Sequence, residues 1–387
     1  MEAMKRANVP GPGANVATLR KDHGFSQVAL ARRSGVSVSL LSKIEVGDRA
    51  LTHGVAASLA RAMGLTLDEL LGRTSAANLA DLSHAIRRFD IPGERPTRPE
   101  LLPSEVAALN RHRWKSELAE VAQKLPSLLT KATNNAHGVS SPEAWTLVAD
   151  IYSTVYWLAA RHRWMYLAEL ATTKQRLAAE RAEPIAAIVA LRDDAGTFLN
   201  SGDFAGGLAL VDRAIVLAES SLRGYDRAFS LGILHLRGLT LAGRLKDKQT
   251  VNRHSRSAWR AAAEFQRDVA EHGIHFGQEN TATHVMATFS DMEQHRQAVR
   301  TAEDLIREGL TLPAIRTAPL YMNMARSQLA LGDRDGALDS LETAWNVAPE
   351  MTAVHPTSLE LTRVLASRHR RSNPRLTRLA RGAGIFL

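Results

Sequence analysis

The 387-residue chain contains no cysteine. That excludes disulfides, thiolate metal sites and cysteine nucleophiles together. Aromatic residues make up only 5% of it, and of its 49 basic residues nine are Lys and 40 are Arg. With the abundance of Ala and Leu, this bias points to a GC-rich genome. No apolar run approaches the length of a membrane span. The start, MEAMKRANVPGPG, is too polar for a signal peptide. Residues 1–13 are expected to form a loose arm, the location to be cytoplasmic, and no membrane to be a partner. Catalytic signatures are missing too: there is no phosphate loop, G-x-S-x-G, H-E-x-x-H or dinucleotide fingerprint. Neither an enzyme nor a cofactor is expected.

What is present suits a folded protein of two or three domains, with 45% hydrophobic residues. The net charge of +9 favours a polyanionic partner, but it is unevenly spread. Residues 14–72 carry seven Arg or Lys against five Asp or Glu, whereas seven Arg and no acid lie from Arg363 to the C-terminus. That tail is either the solvated face of a terminal helix or a second contact with DNA backbone or an acidic partner.

The stretch from Ser26 to Gly47 reads as two short helices around a tight turn. Ser26 caps the first, Gln27 to about Ser34, with Leu30 and Ala31 inward. Gly35 supplies the positive φ of a sharp turn and Val36 plugs the corner. Ser37 caps a second helix in which Leu41 and Ile44, at i and i+3, face the core. That leaves Val38, Ser39, Ser42 and Lys43 outside, and such a small polar face on a propped helix suits the major groove. A helix with Val16 and Leu19 precedes. One with Val55, Leu59 and Met63 follows, then a last one with Leu67, Leu70 and Leu71.

The run S-Q-x-x-L-A-x-x-S-G-V-S-x-S-x-L-S-K-I-E-x-G, with L-x-x-A-x-x-M-G-L-x-L-D-E-L-L after it, resembles the Cro/C1-type (XRE family) helix-turn-helix regulators. The resemblance covers residues 14–73 and implies a five-helix lambda-repressor-like DNA-binding domain, with double-stranded DNA as partner. It places Gln27 on a phosphate or a base, and Ser37, Val38, Ser39 and Lys43 against bases. Ser42 would lie nearer the backbone, and Arg49 would be a phosphate contact. It also implies an internal ion pair, Arg20 with Glu45. The sequence departs from the family where Val38 and Leu40 replace polar residues, and where the loop after Gly47 lacks the usual proline. Val38 can offer only apolar contact to a thymine methyl, whereas Lys43 can donate to guanine. DNA shape then carries part of the recognition. A small helical bundle used for protein contacts is the alternative reading.

A polar helix from Thr74 to Ile91 leads into PGERPTRPE, residues 92–100, whose three prolines mark a linker or fixed elbow and a domain boundary. Residues 101–129 look helical, with Trp114, Leu118, Val121 and Leu125 on one stripe. ATNNAHGVSSPE then breaks the pattern before Trp145. Beyond it the chain is helical and repetitive. Residues 195–218 and 325–348 share Leu, a small residue and Gly-Asp at a turn, then small residues at matching spacings. Both resemble the tetratricopeptide repeat, a two-helix unit of about 34 residues. Weaker copies pair Ala144–Ala160 with Trp164–Arg181, Leu231–Arg244 with Ala258–Val269, and Thr281–Asp291 with Ala298–Ile306. The fold class is therefore all-α, with a tetratricopeptide-like α-solenoid over 101–387 that residues 374–387 cap.

Two clusters in this region invite a chemical reading. Trp145, Tyr152, Tyr156, Trp157, Trp164 and Tyr166 fall within 22 residues. The first four either line a ligand pocket or form inter-repeat core. His272, His275, His284 and His295 fall within 24 residues, the first two one helical turn apart. No acidic or Cys partner has a diagnostic spacing, so surface histidines are expected rather than a metal site.

The whole layout resembles the Gram-positive quorum-sensing regulators and actinobacterial regulators of the same organisation. That resemblance implies a homodimer on a pseudo-palindromic operator, modulated by a peptide, small-molecule or protein effector in the repeats. The alternative is an interaction protein, an antitoxin or scaffold, whose solenoid holds a partner protein.

Overall fold

The computed structural model describes residues 12–49, 51–65, 70, 76–368 and 373–385. Among these the chain is all-α apart from one small β-hairpin. It divides into two compact units, residues 1–80 with 352–387, and residues 81–351. The expected arm lies almost wholly outside the described residues, as do Leu67, Leu71, Arg370 and Arg371.

The first unit opens with α1 (Pro12–Asp22), α2 (Gln27–Ser34), α3 (Val38–Glu45) and α4 (His53–Met63). Each of the last three starts at a hydroxyl cap: Ser26 accepts from the Ala29 N–H, Ser37 from Leu40 and Thr52 from Val55. Val16, Leu30, Val36, Leu41, Ile44, Leu59 and Leu70 make one core. Gly13 lets α1 lie against the end of α3, since a Cβ there would stand 1.9 Å from the Ile44 carbonyl oxygen.

After the start of α5 (Ala76–Arg87), the chain returns to this unit from Thr352, within α18 (Pro349–Val354), and continues through α19 (Pro356–Arg368) and α20 (Pro374–Gly382). The terminal helix, expected to cap the repeats, therefore groups with the helix-turn-helix. It buries Leu376, Leu379 and Ala380 and brings Arg381 Nη1 to 3.2 Å from the Cβ position of Gly47.

The second unit is built from six helix pairs. They are α6 (Leu102–Lys115) with α7 (Leu118–Val139), α8 (Pro142–His162) with α9 (Met165–Ala179), and α10 (Pro184–Ser201) with α11 (Phe204–Ser221). Then come α12 (Gly224–Leu245) with α13 (Lys248–Ala262), α14 (Gln278–Asp291) with α15 (His295–Glu308), and α16 (Ala314–Ala330) with α17 (Arg334–Val347). Between α13 and α14 sits the hairpin, β1 (Val269–Glu271) antiparallel to β2 (Ile274–Phe276). Every pair turns on one left-handed residue: Ser116, Arg163, Gly202, Lys246, Glu293 and Gly332. At the two glycine turns the following Asp caps the second helix, Asp203 accepting from Gly206 N–H and Asp333 from Gly336 N–H.

Three sequence expectations change here. Residues 101–129 are two helices broken at Ser116, and the second runs on through Asn134, Asn135 and His137 to Val139. The partner of α12 starts at Lys248, not near Ala258. The prolines of 92–100 do not mark the division, which falls after residue 80. Instead the segment is strapped to α7. Phe89 O bonds His137 Nε2, the Gly93 N–H donates to Asn134 Oδ1, Asn134 Nδ2 donates to Glu94 O, and Arg95 donates to Asn135.

The array also touches itself end to end. Glu350 accepts from the Ala119 N–H at the start of α7, Ser116 Oγ lies 3.7 Å from Met351 Sδ, and α6 packs against α16.

Candidate DNA-binding surface and repeat interior

In the first unit α3 is propped from behind and open in front. Leu41 and Ile44 are essentially inaccessible, whereas Ser37, Val38, Ser39 and Lys43 are exposed, Val38 by 40%. Ser42 is half-buried, and Arg49 is exposed just beyond the helix, its N–H donating to the Lys43 carbonyl. The sequence-named residues of α3 thus share one outward face.

The prop is polar. Arg20 grips Glu45 with two hydrogen bonds, Nε to Oε1 at 2.6 Å and Nη2 to Oε2 at 2.9 Å, and donates a third to Phe25 O. Burial pushes the Glu45 carboxyl up, but the bonds from Arg20 and Gln27 prevail and hold it below the usual carboxylate range. The bond to Glu45 holds the Arg20 guanidinium above its ordinary value. The Gln27 amide donates to Glu45 at 2.8 Å, so that side chain faces the ion pair. A lone sequence reading has no means to see this third member.

In the second unit the four aromatic candidates separate. Trp145 and Tyr152 pack around Phe89, with His137 on Trp145 and Arg181 over its ring; they belong to a core beside the strap. Tyr156 and Trp157 lie among arginines. Arg113 and Arg161 stand over Trp157 at 5.6 and 5.8 Å, and the Tyr156 hydroxyl fills the space where Gly196 lacks a Cβ, beside Arg237 Nη2. Trp164 stacks on His162, and Tyr166 is 91% exposed.

The histidines are partly buried. His272 and His275 sit on the hairpin rather than on a helix. His272 bonds Asp150 at 2.9 Å, and His275 meets Trp114 edge-on at 5.0 Å. Burial lowers His272, but Asp150 outweighs it and the imidazole ends above its ordinary value. Burial and the charges of Arg316, Arg192 and Arg237 hold His284 well below its own. His295 approaches Ser327.

The residues that sequence reasoning missed are arginines. Arg113, Arg161, Arg192, Arg237 and Arg316 come from α6, α8, α10, α12 and α16, the first helices of five pairs. Each lies within the electrostatic reach of others: burial and then Arg192, Arg161, Arg237 and Arg113 push Arg316 down to about 9. Arg113 falls to about 10 for the same leading reason, burial.

Three comparisons with known proteins bear on this. The helix-turn-helix family model (HTH_3) matches residues 16–70. No curated protein sequence matches the chain. Among solved structures, the chain is similar to Bacillus thuringiensis PlcR, solved with the peptide PapR7 and DNA, at 10% identity and a TM-score of 0.37. That match covers 91% of this chain and 99% of the other. Apo ComR, the competence regulator of Streptococcus vestibularis, is 14% identical with a TM-score of 0.24, over 67% and 93% of the two chains. The PrgX/iCF10 complex is 10% identical with a TM-score of 0.26, over 94% and 98%. With the capped turn, the buried Leu41 and Ile44 and the family match agreeing, residues 16–70 are a helix-turn-helix domain of the XRE type, a DNA-binding fold.

Proposed function

We propose that the protein is a transcriptional regulator that binds double-stranded DNA as a homodimer and responds to an effector held by its helical repeats. The observation that carries this reading is the outward face of α3. Ser37, Val38, Ser39 and Lys43 are exposed together, on a helix whose other side is locked by Leu41, Ile44 and the Arg20–Glu45 pair. A helix so fixed can enter the major groove as a rigid reader. Lys43 then serves guanine, Val38 a thymine methyl, and Ser42 and Arg49 the backbone. Gln27, its amide nitrogen given to Glu45, offers a phosphate its backbone N–H in the first turn of α2. Two such helices, one from each protomer, would occupy half-sites one helical turn apart. An effector changes DNA affinity only by as much as it prefers one state of the dimer.

The test is selection from a random duplex library at two salt concentrations, sequencing what the protein retains. The expected result is an enriched inverted repeat that survives the higher salt. Retention that is blind to sequence and vanishes with salt would reduce the surface to backbone attraction. That outcome would favour a repeat domain that serves a protein partner.

A further inference from the structure

We propose that the interior of the repeats is a binding site for a small polyanion, with clustered phosphate or carboxylate groups worth about three negative charges. The proposal rests on the effector-modulated reading above and names the chemistry of the effector.

The cluster is assembled from Arg113, Arg161, Arg192, Arg237, Arg316 and His284. These come from α6, α8, α10, α12, α16 and α14, one from the first helix of each pair. Their charges are poorly answered from within the protein. Arg192 is paired with Asp193 at 2.7 Å, and the other carboxylate nearby, Asp150, is taken by His272. Arg113, only 4% exposed, donates to the hydroxyls of Thr154 and, at 3.5 Å, Ser153. The guanidinium groups of Arg161, Arg237 and Arg316 form neither a hydrogen bond nor an ion pair with any described residue. The Nε atoms of Arg113, Arg161, Arg192 and Arg237 are buried without an acceptor, and so is Nε2 of His284.

Desolvated guanidiniums that crowd one another cost folding free energy unless something offsets them. A cluster of this size is explained by a ligand that carries the missing negative charge, and the planar fork of Arg matches phosphate and carboxylate oxygens two at a time. Room is made locally. Gly196, on α10, stands where Tyr156 Oη and Arg237 Nη2 converge, and any side chain there would displace them. The Tyr156 hydroxyl adds a group that donates to an oxyanion without adding charge.

The experiment uses the full-length protein, isothermal titration and thermal melting. The probes are sodium tripolyphosphate, citrate and hexaglutamate, each against sodium chloride of equal ionic strength. Binding is expected at one site per chain, with a rise in melting temperature beyond the chloride control. The strongest of the three probes assigns the source to a phosphorylated metabolite, a polycarboxylate or an acidic peptide. In Arg237→Gln and Arg316→Gln the affinity should fall at least tenfold. The unliganded variants should melt no lower than the parent, because a repulsion has been removed. Binding that survives both substitutions belongs to the DNA-facing surface and overturns the proposal, as does the failure of all three probes. If the library selection finds no operator while the interior still binds a polyanion, the regulator reading falls and this one stands.

Discussion

Arg20→Ala isolates the polar prop of the recognition helix. The substitution removes both bonds to Glu45 and the bond to Phe25 O, and leaves a nearly buried carboxylate with Gln27 as its remaining side-chain donor. Taking one partner from a buried pair costs about 3–5 kcal/mol, because the other charge stays desolvated. At about 1.4 kcal/mol per factor of ten, amide protection over α1 to α3 should fall by about two to three and a half orders of magnitude. Amide hydrogen exchange with mass spectrometry on the full-length chain reads this peptide by peptide. Peptides within 16–49 should lose protection, and those within 142–201 should keep theirs. Unchanged exchange in 16–49 would refute the assignment of a structural pair. The pH dependence gives a second check. With Glu45 held below its unfolded value, the pair stabilises fully above the ordinary carboxylate range and is lost as pH falls through the lowered value.

Lys43→Ala should relax base preference at one operator position and cost about 1–3 kcal/mol in specific binding; equal affinity of parent and variant for operator and random duplex would show that α3 is docked wrongly. Arg163→Gly should raise stability by about 1 kcal/mol in urea melts, because a β-carbon is strained in the left-handed region and the side chain is exposed; a lower midpoint would mean that the guanidinium is needed. Acid should weaken the second unit. Burial first, then Arg253, holds His254 at about 4, and His235 is held there likewise, their Nδ1 atoms 3.0 Å apart. Arg253 donates to His254 Nε2, so His254 Nδ1 carries the proton given to His235, and the chain needs both rings neutral. Both rings bind protons in the unfolded chain first, so their stability is complete above pH 6.5 and is lost towards pH 4. For the inaccessible His254 alone this amounts to about 3 kcal/mol. A urea midpoint for α12–α13 peptides that does not move between pH 7.5 and 5 would contradict this.

The helix-turn-helix was legible because its signals are local. Ser26, Gly35 and Ser37 act within four residues of themselves, and the i, i+3 spacing of Leu41 and Ile44 shows which side is buried. The repeats were legible where Gly202-Asp203 and Gly332-Asp333 write the turn in glycine. They blur where Ser116, Arg163, Lys246 and Glu293 take the same left-handed conformation, since such residues carry no turn signal in a sequence. The stripe from Trp114 to Leu125 keeps helical phase across Ser116 and so conceals a break. Asn134, Asn135 and His137 resembled a loop because their polar side chains serve the strap. His272 and His275 fit a helical turn equally well as a hairpin. The interior arginines lie far apart in a chain with 40 residues of their kind, and only the stacking of the pairs brings them together.

The clasp formed by Glu350 and Met351 on Ala119 and Ser116 changes how this array can come apart. A row of repeats held by nearest neighbours frays from its tips, and each unit is lost for its own small free energy. Here the tips are fastened to each other across more than two hundred residues of chain. Unravelling must begin by releasing that fastening, so damage near residue 350 should be felt at residue 118 as promptly as at its own neighbours. Closing so long a loop is slow, which makes the final join a late step in folding. The repeats thus behave less like a spring with two loose ends than like a buckled belt.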